Sequence, residues 1–221
     1  MIQAVLPLPL GVSPGAGGCR YAASAVGPAA ICWSADDSLT RIKAGRSLTF
    51  GDHMSDIDLP LAGVRAAVAD LGAAAERVGA AWTKPRAPGK WSPSQVVEHV
   101  ARIMEESANV ASGLPSKFPT VPFFVRPIAR LLVFRRTLWR KAFPKMKAIA
   151  AFVPAAGSAT PAEGRVRLEG ALTRFDQACR ARAASGQDVA STMFGAVPVA
   201  DFARFQELHV RHHTEQIPGA T

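Results

Sequence analysis

WSPSQVVEHV, residues 91–100, announces a helix in its first turn. Ser92 can accept a hydrogen bond from the backbone N–H groups that a helix start leaves free. Pro93 suits the first helical position, and Gln95, three after the serine, completes a capping box. An apolar run follows. On a helical wheel Val96, Val100, Ile103, Met104 and Val110 form one arc, with Glu98, Arg102 and Glu105 on the opposite side. His99 falls at the edge of the arc expected to be buried.

The same reading extends in both directions. LPLAGVRAAVADLGAAAERVGAAW, from about Leu59 to Trp82, repeats apolar residues at helical spacing with alanine between, and TKPRAPGK breaks it. After residue 112, GLPSKFPTVPFF interrupts with a glycine and three prolines. RPIARLLVFRRTLWRKAF then has helical character from about Arg126 to Phe143, until Pro144 ends or kinks it. Thr160 and Pro161 repeat the cap-and-proline signal and open a helix to about Ala184, with Val166, Leu168, Leu172 and Phe175 expected in the core. SGQDVASTMFGAVP reads as a loop. The last helix is expected from about Val199 to Ile217, stopped by Pro218 and Gly219. No strand alternation, internal repeat or phosphate-binding glycine loop stands out, so the fold class is all-α, a helical bundle.

Composition narrows the function classes. The 221 residues are 48% hydrophobic, enough for the core of one ordinary domain. Cys19, Cys32 and Cys179 are an odd number without a CxxC pair, which supports neither a disulfide framework nor a cysteine zinc site and points to a reducing, cytoplasmic compartment. Cys179 has no assignable charged partner and reads as a core residue rather than a nucleophile. No apolar run of about 18 residues appears, so no transmembrane segment is expected. The N-terminal stretch lacks a basic start, and Pro7 and Pro9 break its apolar part, which argues against a signal peptide. Residues 1–53 are rich in Gly, Ala, Ser and Pro and stop before Met54, where the amphipathic pattern begins. They read as a disordered extension or as the product of a start codon assigned too far upstream, leaving residues 54–221 as the folded domain.

Three of the five histidines fall in LHVRHHTEQ, residues 208–216. Each helical residue advances by about 100 degrees, so His209 and His213 stack on one face. Phe202, Phe205 and Gln216 share that face, while Arg204, Glu207 and Arg211 lie opposite, so the pair is expected to point inward. Buried imidazoles need partners. One reading is a set of core or surface histidines bonded to carbonyls and water. The other is a divalent metal, zinc, nickel, iron or manganese, with His99 as a third ligand and positions left for water or substrate. His212, rotated toward Leu208, is open to three roles: an outer hydrogen-bond donor, a surface residue or a substitute ligand. Glu98 neighbours His99 but faces away from it by about 100 degrees.

WSPSQVVEHV (91–100), FGAVPVADFARF (194–205) and LHVRHHTEQI (208–217) together resemble the DinB-like superfamily of four-helix bundles, over about residues 60–217. In that family a tryptophan-serine-proline helix start leads to one histidine, and a terminal helix carries an HxxxH pair followed by glutamine. The resemblance implies a four-helix bundle with an extra basic segment, in which His99, His209 and His213 bind a divalent metal between helices. It further implies a thiol-dependent S-transferase or a metal-dependent hydrolase, with a small-molecule substrate or a low-molecular-weight thiol as partner; a homodimer is compatible with it. The sequence departs from the subgroup at Ser191, Thr192 and Met193, where relatives often place histidine and proline, and at Pro198, where they often place a capping threonine. The first departure removes a polar pocket residue and weakens the carry-over of substrate chemistry.

The net charge of +9 is concentrated. Between Lys117 and Lys147 lie nine basic residues and no acidic one. Arginine mixed with Leu, Phe and Trp suits a cover helix with solvated cations, an attractor of acidic substrates, or a binding module for a membrane surface or nucleic acid. A catalytically inactive bundle or such a basic module is therefore the alternative to a metal-dependent enzyme.

Overall fold

The computed structural model describes residues 56–219. The expectations placed on residues 1–53, and Cys19 and Cys32 with them, lie outside the described residues. The described chain is mostly helical, with two short strands. Its elements are α1 (Asp58–Arg77), α2 (Pro93–Ser112), α3 (Arg126–Ala129), a π-helical stretch (Arg130–Arg135), α4 (Arg136–Arg140), α5 (Pro161–Ala184), β1 (Val189–Ser191), β2 (Gly195–Val197) and α6 (Val199–Thr214).

The start of α2 is the one its residues call for. Ser92 Oγ accepts from the Gln95 N–H at 3.3 Å, and the Ser92 N–H donates to Gln95 Oε1 at 3.0 Å. At the other end Gly113 takes φ 74°, a left-handed conformation that costs glycine little, and closes the helix. The arc of Val96, Val100, Ile103, Met104 and Val110 is buried throughout. α2 packs along α5 and α1 along α6, and α1 also meets α5, so the four long helices share one core around Leu61, Leu71, Met104, Leu168 and Phe175. Arg167 of α5 grips Glu105 of α2 through both terminal guanidinium nitrogens, the longer bond 2.7 Å, and its Nε reaches Glu98 at 3.4 Å.

Several boundaries differ from the sequence reading. α1 ends at Arg77 and passes into a tight turn, Gly79–Ala81, because Gly79 adopts φ 51°. The basic helix stops at Arg140, where Lys141 turns left-handed at φ 51°. α6 ends at Thr214: ahead of Pro218 the chain tightens into i to i+3 bonds, Gln216 N–H to His213 O and Ile217 N–H to Thr214 O. Residues 189–197, read as loop, form an antiparallel hairpin with Val189 opposite Val197, and both valines are fully buried. Val166 is 70% exposed rather than core. It stands two residues from Leu168 and Gly164, about 200 degrees round the helix from each.

Glu207 is the clearest reversal. Expected on the polar face of α6, it is buried against α1, in the space left by Gly63. Arg204 and Arg211 hold its two carboxylate oxygens, the latter at 2.9 Å. α6 is thus covered on two sides, and a carboxylate can enter the interior because two cations accompany it.

Candidate metal centre

His99 projects from the middle of α2, and His209 and His213 stand one turn apart on α6. All three are buried. Their ring centroids are separated by 4.7 Å (His99 to His213), 5.6 Å (His99 to His209) and 4.6 Å (His209 to His213). One ligand atom from each lies within 4.8 Å of the others, close enough to hold a metal ion. The structure therefore brings together the three histidines singled out in the sequence.

Hydrogen bonds orient two of the rings. His99 Nδ1–H donates to the Phe152 carbonyl at 2.8 Å, and since a carbonyl only accepts, the lone pair of that ring is on Nε2. His213 Nδ1–H donates to Gln216 Oε1 at 3.2 Å, which likewise frees Nε2. The Nε2 atoms of His213 and His209 face each other at 3.1 Å. His209 Nδ1 is buried and has no hydrogen-bond partner among the described residues. Two imidazole nitrogens held at about 2.0–2.1 Å from one tetrahedral ion are about 3.3–3.4 Å apart, so the observed pair needs only a small opening to share a cation. An outer oxygen that fixes the tautomer of a ligating ring is the arrangement metal sites use.

Burial sets the protonation state. It lowers the pKa of His99, against the pull of the Phe152 carbonyl. His209 is pushed well below the ordinary imidazole value, first by burial and then by the neighbouring rings. His213 is lowered to about 3 by burial, with His99 and His212 adding to it. All three rings are neutral near pH 7 and need lose no proton to bind a cation. His212 is half-buried and outside the triad. Its Nε2 accepts from the Gln216 amide at 3.1 Å, so Gln216 links it to His213.

The triad lines a cavity of about 710 Å³. Apolar walls come from α2, from the basic segment and from the hairpin, including Ile103, Val133, Phe143 and Phe194. Arg86, Lys90 and Lys147 also line it, and no carboxylate does among the described residues. Trp91 packs its ring on His99 at 4.8 Å, and Phe143 meets His209 at 5.1 Å. Gln206 is buried, donates to Ser107 Oγ at 2.7 Å and keeps Oε1 unpartnered among the described residues. Gln206 was readable, standing three residues before His209 on the same face. Phe152 was not, because it arrives from a connector with no periodicity, and Phe143, expected at the end of the basic helix, lies beyond its stop at Arg140. Glu98 is engaged by Arg102 at 2.6 Å and by Arg167, outside the cavity lining. Cys179 is buried, and burial, helped by Asp176, raises its thiol to about 12.

Residues 57–219 match a family described as a protein of unknown function (DUF1569), and the chain belongs to that family. No curated protein and no solved structure matches it.

Proposed function

We propose that this member of the DUF1569 family is a DinB-like helical bundle that binds one divalent metal ion through His99, His209 and His213, and that it works on a small molecule in the adjoining cavity. The observation that carries the reading is the convergence of three buried, neutral imidazoles on one point beside a cavity of about 710 Å³. That volume lies within the range of small-molecule sites, roughly 300–1,000 Å³. A cation held there supplies Lewis acidity, which promotes ionisation of a water or thiol and polarises a carbonyl or leaving group. The chain's own residues do the rest. Phe152 and Gln216 hold two of the rings in the tautomer that offers Nε2, Trp91 and Phe143 keep the rings from rotating, and the apolar walls exclude water. Arg86, Lys90 and Lys147 favour a substrate with negative charge, such as a low-molecular-weight thiol bearing carboxylates. Thiol-dependent S-transfer and hydrolysis are the two reactions that fit this set.

A bundle that keeps the ion without turnover is the second reading, and Ser191 favours it. Its hydroxyl accepts from the Met193 and Phe194 N–H groups at 3.2 Å each and is committed to the hairpin turn. The position where relatives often carry histidine and proline thus offers no free base. The test is metal analysis by mass spectrometry on the untagged full-length protein beside a His209→Ala, His213→Ala double variant. About one zinc, nickel, iron or manganese ion per chain in the parent and none in the variant is the expected result. Equal, near-zero contents after metal is added back to folded samples would sink the proposal.

A further inference from the structure

The segment from Phe123 to Lys141 carries two apolar faces, and only one has a partner among the described residues. Inward, Phe134 is buried against Phe194 and Phe205, with ring centroids at 5.3 and 5.0 Å, and Thr137 is buried beside it. Outward, Phe124, Ile128 and Leu131 follow one another at spacings of four and three residues, Leu132 stands beside Leu131, and Trp139 follows seven residues, about two turns, further on. All are more than half exposed, and Trp139 reaches 80%. A water-facing helix carries polar residues on this side, and a contiguous stripe of large apolar side chains marks a surface that something covers.

The cations around the stripe have no carboxylate partners. Arg135, Arg136, Arg140 and Lys141 are exposed, and none forms an ion pair among the described residues. On the long helices, by contrast, Arg65, Arg102, Arg167, Arg180 and Arg211 each meet an Asp or Glu. We infer that the outer face of Phe123–Lys141 seats on an anionic lipid surface, with Phe124, Ile128, Leu131, Leu132 and Trp139 among the acyl chains and the arginines at the phosphates.

The chemistry selects this occupant over two others. Nucleic-acid contacts run mostly to phosphates and sugars through polar and cationic groups, and five large apolar side chains would be left in water or against phosphate. A second copy docking about a two-fold axis would bring Arg135, Arg136, Arg140 and Lys141 against the same four, with no acidic residue between Lys117 and Lys147 to offset them. An anionic bilayer satisfies both halves of the pattern, apolar depth and headgroup charge. Trp139, at the end of the stripe, has the amphipathic ring that favours the interface. None of the helices described is long and apolar enough to cross a membrane, so the segment lies in the plane of the surface. Its inner side contributes Val133 to the cavity, which keeps the cavity close to the lipid.

The test is co-sedimentation of the full-length protein with vesicles of phosphatidylcholine alone and of phosphatidylcholine with about one-third phosphatidylserine. Binding to the anionic vesicles should exceed that to the neutral ones by about tenfold or more and should weaken as salt is raised. Leu131→Ser with Leu132→Ser, and separately Arg135→Glu with Arg136→Glu, should each lower it by about tenfold or more. Because these side chains are exposed, circular dichroism and metal content should match the parent, which separates failure here from failure of the metal site. Equal partitioning to both vesicles would overturn the inference, as would variants that bind like the parent. Dimerisation abolished by the Leu131 and Leu132 changes would assign the face to a second copy instead. Duplex DNA binding that survives those changes while vesicle binding is absent would assign it to nucleic acid.

Discussion

His209 and His213 face each other Nε2 to Nε2 at 3.1 Å, in the interior, one turn apart on α6. In a neutral pair only one of these nitrogens can carry a hydrogen, and His213 Nδ1 already donates to Gln216. His209 is left to donate through Nε2, with its Nδ1 orphaned. A cation between the two nitrogens would need the His209 hydrogen moved from Nε2 to Nδ1, after which both Nε2 lone pairs would be used.

Removing the Gln216 oxygen should loosen that arrangement. Gln216→Ala takes away the acceptor that fixes the His213 tautomer and the link to His212. Metal affinity measured by chelator competition should fall by about 10–100-fold, with helix content unchanged. Parent-like affinity would show that the ring is oriented without the amide.

The triad also gives the metal-free protein a pH signature. In the folded chain the three rings resist protonation, His213 down to about pH 3, whereas in the unfolded chain they take up protons below about 6.5. Between these limits the unfolded state binds more protons, so stability rises with pH through the window and falls as pH drops. The loss should reach about 1.4 kcal/mol per pH unit for each ring protonated only when unfolded. Denaturant midpoints near pH 7.5 and pH 5 should differ accordingly; equal midpoints would mean that the rings titrate alike in both states.

Gly157 sits where a side chain cannot go. A Cβ built there would lie 2.2 Å from the Ser94 carbonyl oxygen, a backbone atom in the first turn of α2. Gly157→Ala should cost roughly 1–3 kcal/mol in urea unfolding, by lifting the connector off the helix start. A cost near zero would show that the connector is free to shift.

Cys179 should be inert. With its thiol raised to about 12, it should resist alkylation in the native protein and react after denaturation, as read by peptide mass spectrometry. Labelling at the same rate in both states would contradict its burial.

The parts of the fold legible in the sequence are those governed by neighbours in the chain. The Ser92–Gln95 box and the Thr160–Pro161 start both form their caps, Thr160 accepting from Glu163 at 3.2 Å. What the sequence hid depends on distant segments. The strands at Val189–Ser191 and Gly195–Val197 are three residues each, too short to show a period. Glu207 reads as polar surface until Gly63 of α1 is known to face it. The convergence of His99 with the α6 pair was legible because each lies on a strongly patterned helix face. Phe152 was not, since a carbonyl carries no side-chain signature.

That carbonyl makes the connector part of the histidine cluster. Gln95 holds the Pro154 and Ala155 carbonyls at 3.2 and 3.3 Å, and His99, one turn on, holds Phe152 at 2.8 Å. Two side chains of α2 thus staple the stretch leading into α5. A protease attacking this stretch must wait for both staples to release, and an ion that immobilises the His99 ring would lengthen the wait. Occupancy of the histidine cluster then becomes a lifetime, read by timing the first cut.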